Sequence, residues 1–231
     1  MPEPRRVLER GSRQLQRAFG PDHAFIGDAF LEAADRYPHE EELRKARDYV
    51  LAAERSPGCF LKSRGYTADH LNVDASCGGA FLAWYAERYD DEEARAAALR
   101  AAENVVRHQR PPDGVYPYAV DKGGTYPFVF DLPPCVHYQG VTTYYLAKAN
   151  DVLRDERIDE SIAGGVRWLA AAQRPDGRFD WSKSGLSFAY HLSGGAYAFA
   201  LASFVYASRT DGRYREHADR CLERLERDVP G

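Results

Sequence analysis

The sequence predicts an all-α fold made of repeated helical hairpins, and three observations support this prediction. A helix that ends in a turn followed by an aromatic residue occurs three times, apolar residues recur at spacings of three and four, and helices of two types alternate. The clearest copy of the helix end and turn covers residues 168–181, WLAAAQRPDGRFDW. Residues 105–116, VVRHQRPPDGVY, and residues 49–60, YVLAAERSPGCF, repeat the same order.

The glycine of this turn sets the period of the repeat. Gly58, Gly114 and Gly177 occupy the same slot at intervals of 56 and 63 residues, which is long enough for two helices and a loop. Glycine adopts a positive φ at no steric cost, and a proline before it cannot continue the helix. We expect the aromatic residue after each turn to fold back as a hydrophobic clamp. These aromatic residues are Phe60, Tyr116 and Phe179.

Composition and charge exclude several classes of protein. The 231 residues, 44% hydrophobic and 13% aromatic, can bury a sizeable core, and the net charge of −4 without a dense basic run predicts no nucleic-acid partner. The N-terminal residues carry charges throughout and lack the apolar core of a secretion signal. The apolar part of 184–208 is shorter than the about 20 residues that span a membrane. We therefore expect a cytoplasmic protein whose four cysteines are reduced.

The predicted helices follow one another in chain order. Residues 39–54 place Leu43, Ala46, Val50 and Ala53 on one stripe, whereas residues 77–89 are apolar nearly all round before Glu87. A helix of the first kind lies on the outside and one of the second kind on the inside. The expected helices are 5–19, 24–37, 39–54, 77–89, 91–108, 138–152, 156–173, 193–208 and 211–227.

Alternation of the two kinds of helix predicts an inner ring wrapped by an outer ring, that is, an α/α toroid. We expect a single domain, 1–231, with about four hairpins in an incomplete barrel or open arc. Its approximate repeats are 22–58, 74–114, 137–177 and 191–231. The loop 109–136, with six prolines, three tyrosines and two phenylalanines, is expected to be ordered by packing.

Candidate chemistry lies where the inner helices begin. Parallel inner helices bring their N-termini to one end of the array, where unpaired NH groups and helix dipoles favour anions, including carboxylates. The long loops 55–73, 109–136 and 174–191 arrive at the same end. Side chains suited to acid/base work enter there, namely Asp74, Asp131, His137, Tyr138, Gln139 and His191.

Structural roles compete with this interpretation. Asp74 could cap a helix that starts at Cys77, and His137 and His191 could each be buried imidazoles bonded to loop carbonyls. Their shared position in the repeat favours function, because a structural role does not require it.

The segment 73–98, VDASCGGAFLAWYAERYDDEEARAAA, resembles a known family. Its Val-Asp start and Phe-Leu-Ala-x-Tyr pattern look like the inner-helix segment of unsaturated uronyl hydrolases, which are α/α-toroid (six-hairpin-glycosidase-like) carbohydrate-active enzymes. By that resemblance Asp74 matches the acid that protonates the vinyl ether of an unsaturated uronic acid. His137, Tyr138 and His191 resemble residues of toroidal uronate lyases and epimerases.

A second resemblance implies different chemistry. A helix followed by Gln, Asp-Gly and an aromatic residue is similar to the repeat of terpene cyclases and prenyltransferase β-subunits. Residues 188–195, FAYHLSGG, look like the segment of the prenyltransferase β-subunits that carries a zinc-ligand His. That resemblance implies a zinc site of Asp74, Cys77 and His191, or of Asp131, Cys135 and His191. A third alternative is a helical scaffold that presents its concave face to a protein.

We expect an enzyme that acts on a carboxylate-bearing carbohydrate and needs neither metal nor cofactor. Asp74 would be the general acid or base, and His137 and His191 its partners or binders of the substrate carboxylate. Tyr138, Gln139 and Asp131 would orient the substrate. A sugar would pack on an aromatic wall of Tyr116, Tyr118, Tyr126 and Phe128. The partner is an oligosaccharide or small molecule, no membrane is involved, and a homo-oligomer is compatible with the sequence.

Overall fold

Helices dominate the structure, which is a computed structural model that describes residues 40–61, 69–120, 135–180 and 193–228. Two short antiparallel strands, β1 (Glu54–Ser56) and β2 (Cys59–Phe60), follow the first helix. We number the helices of the described residues α1 (Glu40–Ala52), α2 (residues 71–89), α3 (Glu92–His108), α4 (Val136–Leu153), α5 (Glu156–Ala172), α6 (Ser193–Ala207) and α7 (Tyr214–Asp228).

The helices form two layers, so the prediction of an all-α α/α toroid is confirmed. The inner helices α2, α4 and α6 pack side by side, and α3, α5 and α7 each pack on the outside of the inner helix that precedes them. The outer helices bury a single face, as Ile158, Ile162 and Val166 of α5 show. At the end of this arc α6 leaves Val205 exposed.

Each inner helix passes to its outer helix by the same short connection. Asp90 follows α2 and Arg154 follows α4, both in the left-handed region with φ of 54° and 58°. An aspartate then caps the outer helix: Asp91 accepts from the Ala94 amide at 2.9 Å, and Asp155 accepts from the Arg157 amide at 2.8 Å. These caps set the observed starts of α3 and α5 within a residue of the predicted starts.

The repeated turn joins each hairpin to the next. Gly58, Gly114 and Gly177 all have the predicted positive φ, between 74° and 80°. The residue that ends the preceding outer helix reaches the following outer helix, since Gln109 Nε2 donates to the Ser161 carbonyl at 2.8 Å and Gln173 Nε2 to the His217 carbonyl at 3.2 Å. The aromatic residues after the turns, Phe60, Tyr116 and Phe179, are buried, as expected for clamps.

Helix α2 begins earlier than the sequence predicts. It starts at Leu71 with a short α-helical segment, Leu71–Val73, continues as a π-helix, Asp74–Phe81, and ends as the α-helix Leu82–Tyr89. Asp74 therefore lies inside the helix, and the interpretation of Asp74 as the cap of a helix from Cys77 is wrong. The early turn is held by tertiary packing, because Leu71 and Val73 are buried and contact α4.

Several other predictions meet the structure in part. The cysteines at 59, 77, 135 and 221 are free and buried. None of the described helices combines the length and the apolar character needed to cross a membrane. The predicted helices 5–19 and 24–37 lie outside the described residues, so the first repeat, 22–58, stays a prediction.

Candidate active site at the start of the inner helices

Asp74 is sealed in the core near the start of α2. Its carboxyl group has no exposed surface. Oδ1 accepts from the Phe60 amide at 2.8 Å, and Oδ2 accepts from Asn104 Nδ2 at 3.1 Å. β2 and α3 thus hold this side chain from two sides.

A second carboxyl group, Asp69, lies beside Asp74. The same amide nitrogen, Asn104 Nδ2, donates to Asp69 Oδ2 at 2.9 Å, and Asp69 is 6% exposed. The Asp69 carbonyl accepts from the Val120 amide at 3.1 Å, which fixes the loop after α3 against the start of α2. Two aspartates therefore share one amide donor in a largely dehydrated place.

Burial, and then the neighbouring Asp69 carboxylate, raise the pKa of Asp74 well above its ordinary value. The bonds from Phe60 and Asn104 act in the opposite direction and are weaker. Burial, with the two aspartates, also raises the pKa of the nearby Cys59 thiol to about 12, so this thiol is neutral at physiological pH. Asp74 can consequently keep a proton at a pH where an exposed aspartate is ionised.

Aromatic rings connect the starts of the three inner helices. The ring of His70, just before α2, lies 4.6 Å from that of Tyr118, which lies 4.3 Å from that of Tyr138 on α4. His137 continues the series at 5.0 Å from Tyr138 and 5.6 Å from Phe199 of α6. Tyr118, Tyr138 and His137, all named from the sequence, therefore lie together at the end of the array that also holds Asp74.

His137 sits in the first turn of α4, where it is half-buried. Burial lowers the pKa of its imidazole, which favours the neutral form at physiological pH. Its Nδ1 is buried and has no hydrogen-bond partner among the residues that the structure describes. A neutral imidazole of this kind can accept or donate a proton, or bind a polar group that approaches it.

Two residues expected to bind substrate, Gln139 and Tyr116, form buried hydrogen bonds within the protein. Gln139 has no exposed surface; its Oε1 accepts from the Tyr116 amide at 2.9 Å and its Nε2 donates to the Gly114 carbonyl at 2.9 Å. Tyr116 is 2% exposed, and its hydroxyl donates to the Ser161 carbonyl at 2.9 Å. Both side chains hold the turn through these hydrogen bonds.

Gln139 nevertheless helps to explain the role of Asp74, because the two residues occupy equivalent places in successive repeats. Asp74 accepts the amide of Phe60 and Gln139 accepts the amide of Tyr116, in each case the aromatic residue after the turn. A neutral amide side chain performs this structural task at position 139. The task therefore does not require a carboxyl group at position 74.

Sequence reasoning missed Asp69 and Asn104. The signal for Asn104 was present: it falls on the apolar stripe of α3 beside Ala101 and Val105, where a lone polar residue has to find a buried partner. Asp69 gave no local signal, because its contact with Asn104 spans 35 residues. His191, Asp131, Tyr126 and Phe128 lie outside the described residues.

Two further features are the possible metal ligands and a groove at the other end of the array. Within the described ranges, no three His, Cys, Asp or Glu side chains cluster as a metal site would require, but both zinc sets implied by resemblance include His191. A groove of about 670 Å³ lies at the opposite end, where α4 and α6 finish. Two ion pairs line it, Arg209 with Asp151 at 3.4 Å and Arg213 with Asp211 at 2.6 Å.

Comparison with solved structures places the fold among carbohydrate-active enzymes. The chain is similar to the unsaturated glucuronyl hydrolase of Bacillus sp. GL1, with a TM-score of 0.73, 15% identity, and coverage of 97% of this chain and 67% of that one. It is also similar to a glycoside hydrolase from Family 105 of C. acetobutylicum, with a TM-score of 0.72, 16% identity, and coverage of 90% and 64%. A polysaccharide lyase matches with a TM-score of 0.60, 14% identity, and coverage of 89% and 60%.

These similarities confirm the fold-level resemblance to α/α-toroid carbohydrate-active enzymes. At 14 to 16% identity they show a shared fold, and the chain spans about two thirds of the length of these proteins. No protein-family model matches the sequence, and the search of curated proteins finds no match.

Proposed function

We propose that this protein is an enzyme that acts on a uronic-acid-containing glycan or oligosaccharide, with Asp74 as the general acid or base. One observation carries the proposal: a buried carboxyl group with a raised pKa stands where the next repeat has the neutral Gln139. The fold supports the substrate class, since a solved structure similar to this chain is described as an unsaturated glucuronyl hydrolase.

A carboxyl group that keeps its proton at neutral pH is suited to proton donation. General acid/base catalysis by such a group is worth about 10²- to 10⁴-fold in rate. An unsaturated uronide offers a vinyl ether, whose protonation gives a cation stabilised by the ring oxygen and open to attack by water. The same group could remove or return a proton in a lyase or an epimerase.

The surroundings of Asp74 suit an acidic sugar. Tyr118 and Tyr138 supply rings on which a sugar can pack, and neutral His137 can bind or relay a proton. The N-terminal turns of α2 and α4 favour the substrate carboxylate. We keep His191, Asp131 and Tyr126 as proposed contributors from the loops. Because Asp74 is fully buried, substrate has to open the packing at the start of α2 to reach it.

The test is a comparison of unsaturated and saturated uronide oligosaccharides as substrates, with metal content measured on the same preparation. We expect turnover without stoichiometric metal, and Asp74→Asn should lower it about 10²- to 10⁴-fold, as loss of a general acid or base does. The matched control is Asp219→Asn, because Asp219 is exposed on α7, away from the candidate site. The control should keep its turnover.

Other results would move the assignment to the alternatives. Stoichiometric zinc with no turnover of uronides would favour the prenyltransferase-like toroid. Absence of both metal and turnover would favour a scaffold. An Asp74→Asn protein that turns over a uronide as fast as the parent would remove Asp74 from the mechanism.

A further inference from the structure

We propose that Asp69 is a positioning residue for Asp74: joined through the side-chain amide of Asn104, the two carboxyl groups hold one proton between them at neutral pH. The meaning of this pair for catalysis rests on the proposed function. The sharing of the proton is a property of the protein without substrate, and it can be tested without an assay.

The geometry of Asn104 supports the pairing. One nitrogen, Nδ2, donates to Oδ2 of Asp69 at 2.9 Å and to Oδ2 of Asp74 at 3.1 Å, so each of its two hydrogens serves one carboxyl group. Asn104 is itself buried on α3. The amide therefore fixes both aspartates in one place and cannot move toward either without losing the other.

The charges around the pair do not allow two ionised carboxylates. Both side chains are more than nine-tenths buried, and no lysine or arginine of the described residues forms an ion pair with either. Two like charges in so dehydrated a place repel each other strongly, so one carboxyl group retains a proton. The result is a pair with a single negative charge.

The titratable neighbours do not change this balance. Cys59 on β2 is a neutral thiol whose sulfur lies 4.0 Å from Arg55 Nη2, and this guanidinium forms no ion pair with Asp69 or Asp74. α3 contributes the uncharged amide of Asn104. His70 precedes α2 and packs its ring against Tyr118. On α4, which lies along α2, the charged Lys148 is over the Trp84 ring at 5.3 Å, far along the helix from Asp74.

The hydrogen-bond inventory independently calls for a proton. The oxygens of the pair receive hydrogens from the Phe60 amide and from Asn104, and the neutral Cys59 thiol is a further donor to Asp69. Asp69 Oδ1 is nevertheless buried and has no partner among the described residues. A shared proton adds one donor to a group of atoms that otherwise only accept. The shared proton therefore lowers the free-energy cost of burying Asp69 Oδ1 away from water.

The test follows the carboxyl carbons of Asp69 and Asp74 by NMR as the pH is raised, in the intact protein without substrate. We expect Asp74 to stay protonated at neutral pH in the parent. In Asp69→Asn, the asparagine oxygen can still accept from Asn104, but the negative charge is gone. The midpoint of Asp74 ionisation should then fall by about one pH unit or more.

Asp219→Asn is the matched control, because Asp219 is exposed on α7, and it should leave the midpoint unchanged. A midpoint that does not move in Asp69→Asn, or an Asp74 already ionised at neutral pH in the parent, would overturn the inference. If Asp69→Asn does not fold, infrared spectra decide: the carbonyl band of a protonated carboxyl group must be present in the parent at neutral pH and absent in Asp74→Asn.

Activity separates this inference from the proposed function. Where a uronide is turned over, Asp69→Asn should move the basic limb of the pH–rate profile to lower pH by the same interval as the NMR midpoint. A purely structural role for Asp69 would lower the rate at every pH and leave the profile in place. If the NMR midpoint shifts but no uronide is turned over, the inference of a shared proton stands and the proposed substrate class is rejected.

Discussion

Replacing the turn glycines one at a time by alanine tests how the hairpins are joined. All three have a positive φ of 74° to 80°, so each variant pays about the same backbone cost, about 1–2 kcal/mol, partly offset by about 0.4–1 kcal/mol from a stiffer unfolded chain. The packing differs. A Cβ on Gly58 or Gly114 would lie 2.2 Å from a backbone carbonyl oxygen of the next outer helix, whereas on Gly177 the closest such oxygen is 3.0 Å away.

A backbone oxygen cannot move aside as a flexible side chain can, so the turn has to shift away from the outer helix against which it packs. That displacement adds about 1–3 kcal/mol of overpacking strain. It also weakens the bond that joins the turn to the next helix, such as Gln109 to Ser161, which is worth about 1 kcal/mol. We expect Gly58→Ala and Gly114→Ala to lose about 3–5 kcal/mol, and Gly177→Ala about 1–2 kcal/mol.

The assay is denaturant unfolding followed by the helical circular-dichroism signal, from which the free energy of unfolding is obtained for the parent and the three variants. Gly177→Ala serves as the internal control for the backbone cost. Equal losses in the three variants, or the largest loss at Gly177, would refute the idea that each turn docks on the next outer helix.

Two further predictions concern bonds within this framework. Arg100 donates to Glu54 at 2.9 and 2.6 Å, and these bonds lower the pKa of Glu54. Above the ordinary pKa of glutamate, the free energy of unfolding of the parent should therefore exceed that of Glu54→Gln by about 0.5–1 kcal/mol. This difference should vanish as the pH falls through the lowered pKa of Glu54. A constant difference down to acid pH would contradict this. Tyr116→Phe removes the hydroxyl bonded to Ser161 and should cost about 1–2 kcal/mol in unfolding experiments while leaving any turnover unchanged. A large loss of rate without loss of stability would return Tyr116 to the site.

The elements that the sequence predicted well are those specified by local patterns. Apolar spacing located α1 and α5, because Leu43, Val50, Ile158 and Val166 each contact the core from one stripe. The turns were found because their glycine has a conformation that other residues rarely adopt. Alternation of helix types then sufficed to predict two layers.

The features that the sequence does not reveal depend on contacts between distant residues. The sequence predicts a helix from Cys77 with Asp74 as a possible cap, yet Asp74 lies inside the helix and accepts hydrogen bonds from Phe60 and Asn104. The sequence predicts Tyr116 on a sugar-binding wall, and in the structure its hydroxyl donates to a buried carbonyl 45 residues away. A polar group on an aromatic ring does not by itself reveal whether its partner is solvent, substrate or protein.

The central claim is that substrate reaches Asp74, and a structure of the Asp74→Asn protein with a bound unsaturated uronide tests it most directly. We predict that the sugar lies against Tyr118 and Tyr138, with its reacting atom within hydrogen-bond reach, about 2.6–3.2 Å, of the side chain at position 74. A sugar bound in the groove at the far end of α4 and α6, with the packing around position 74 still closed, would contradict the account.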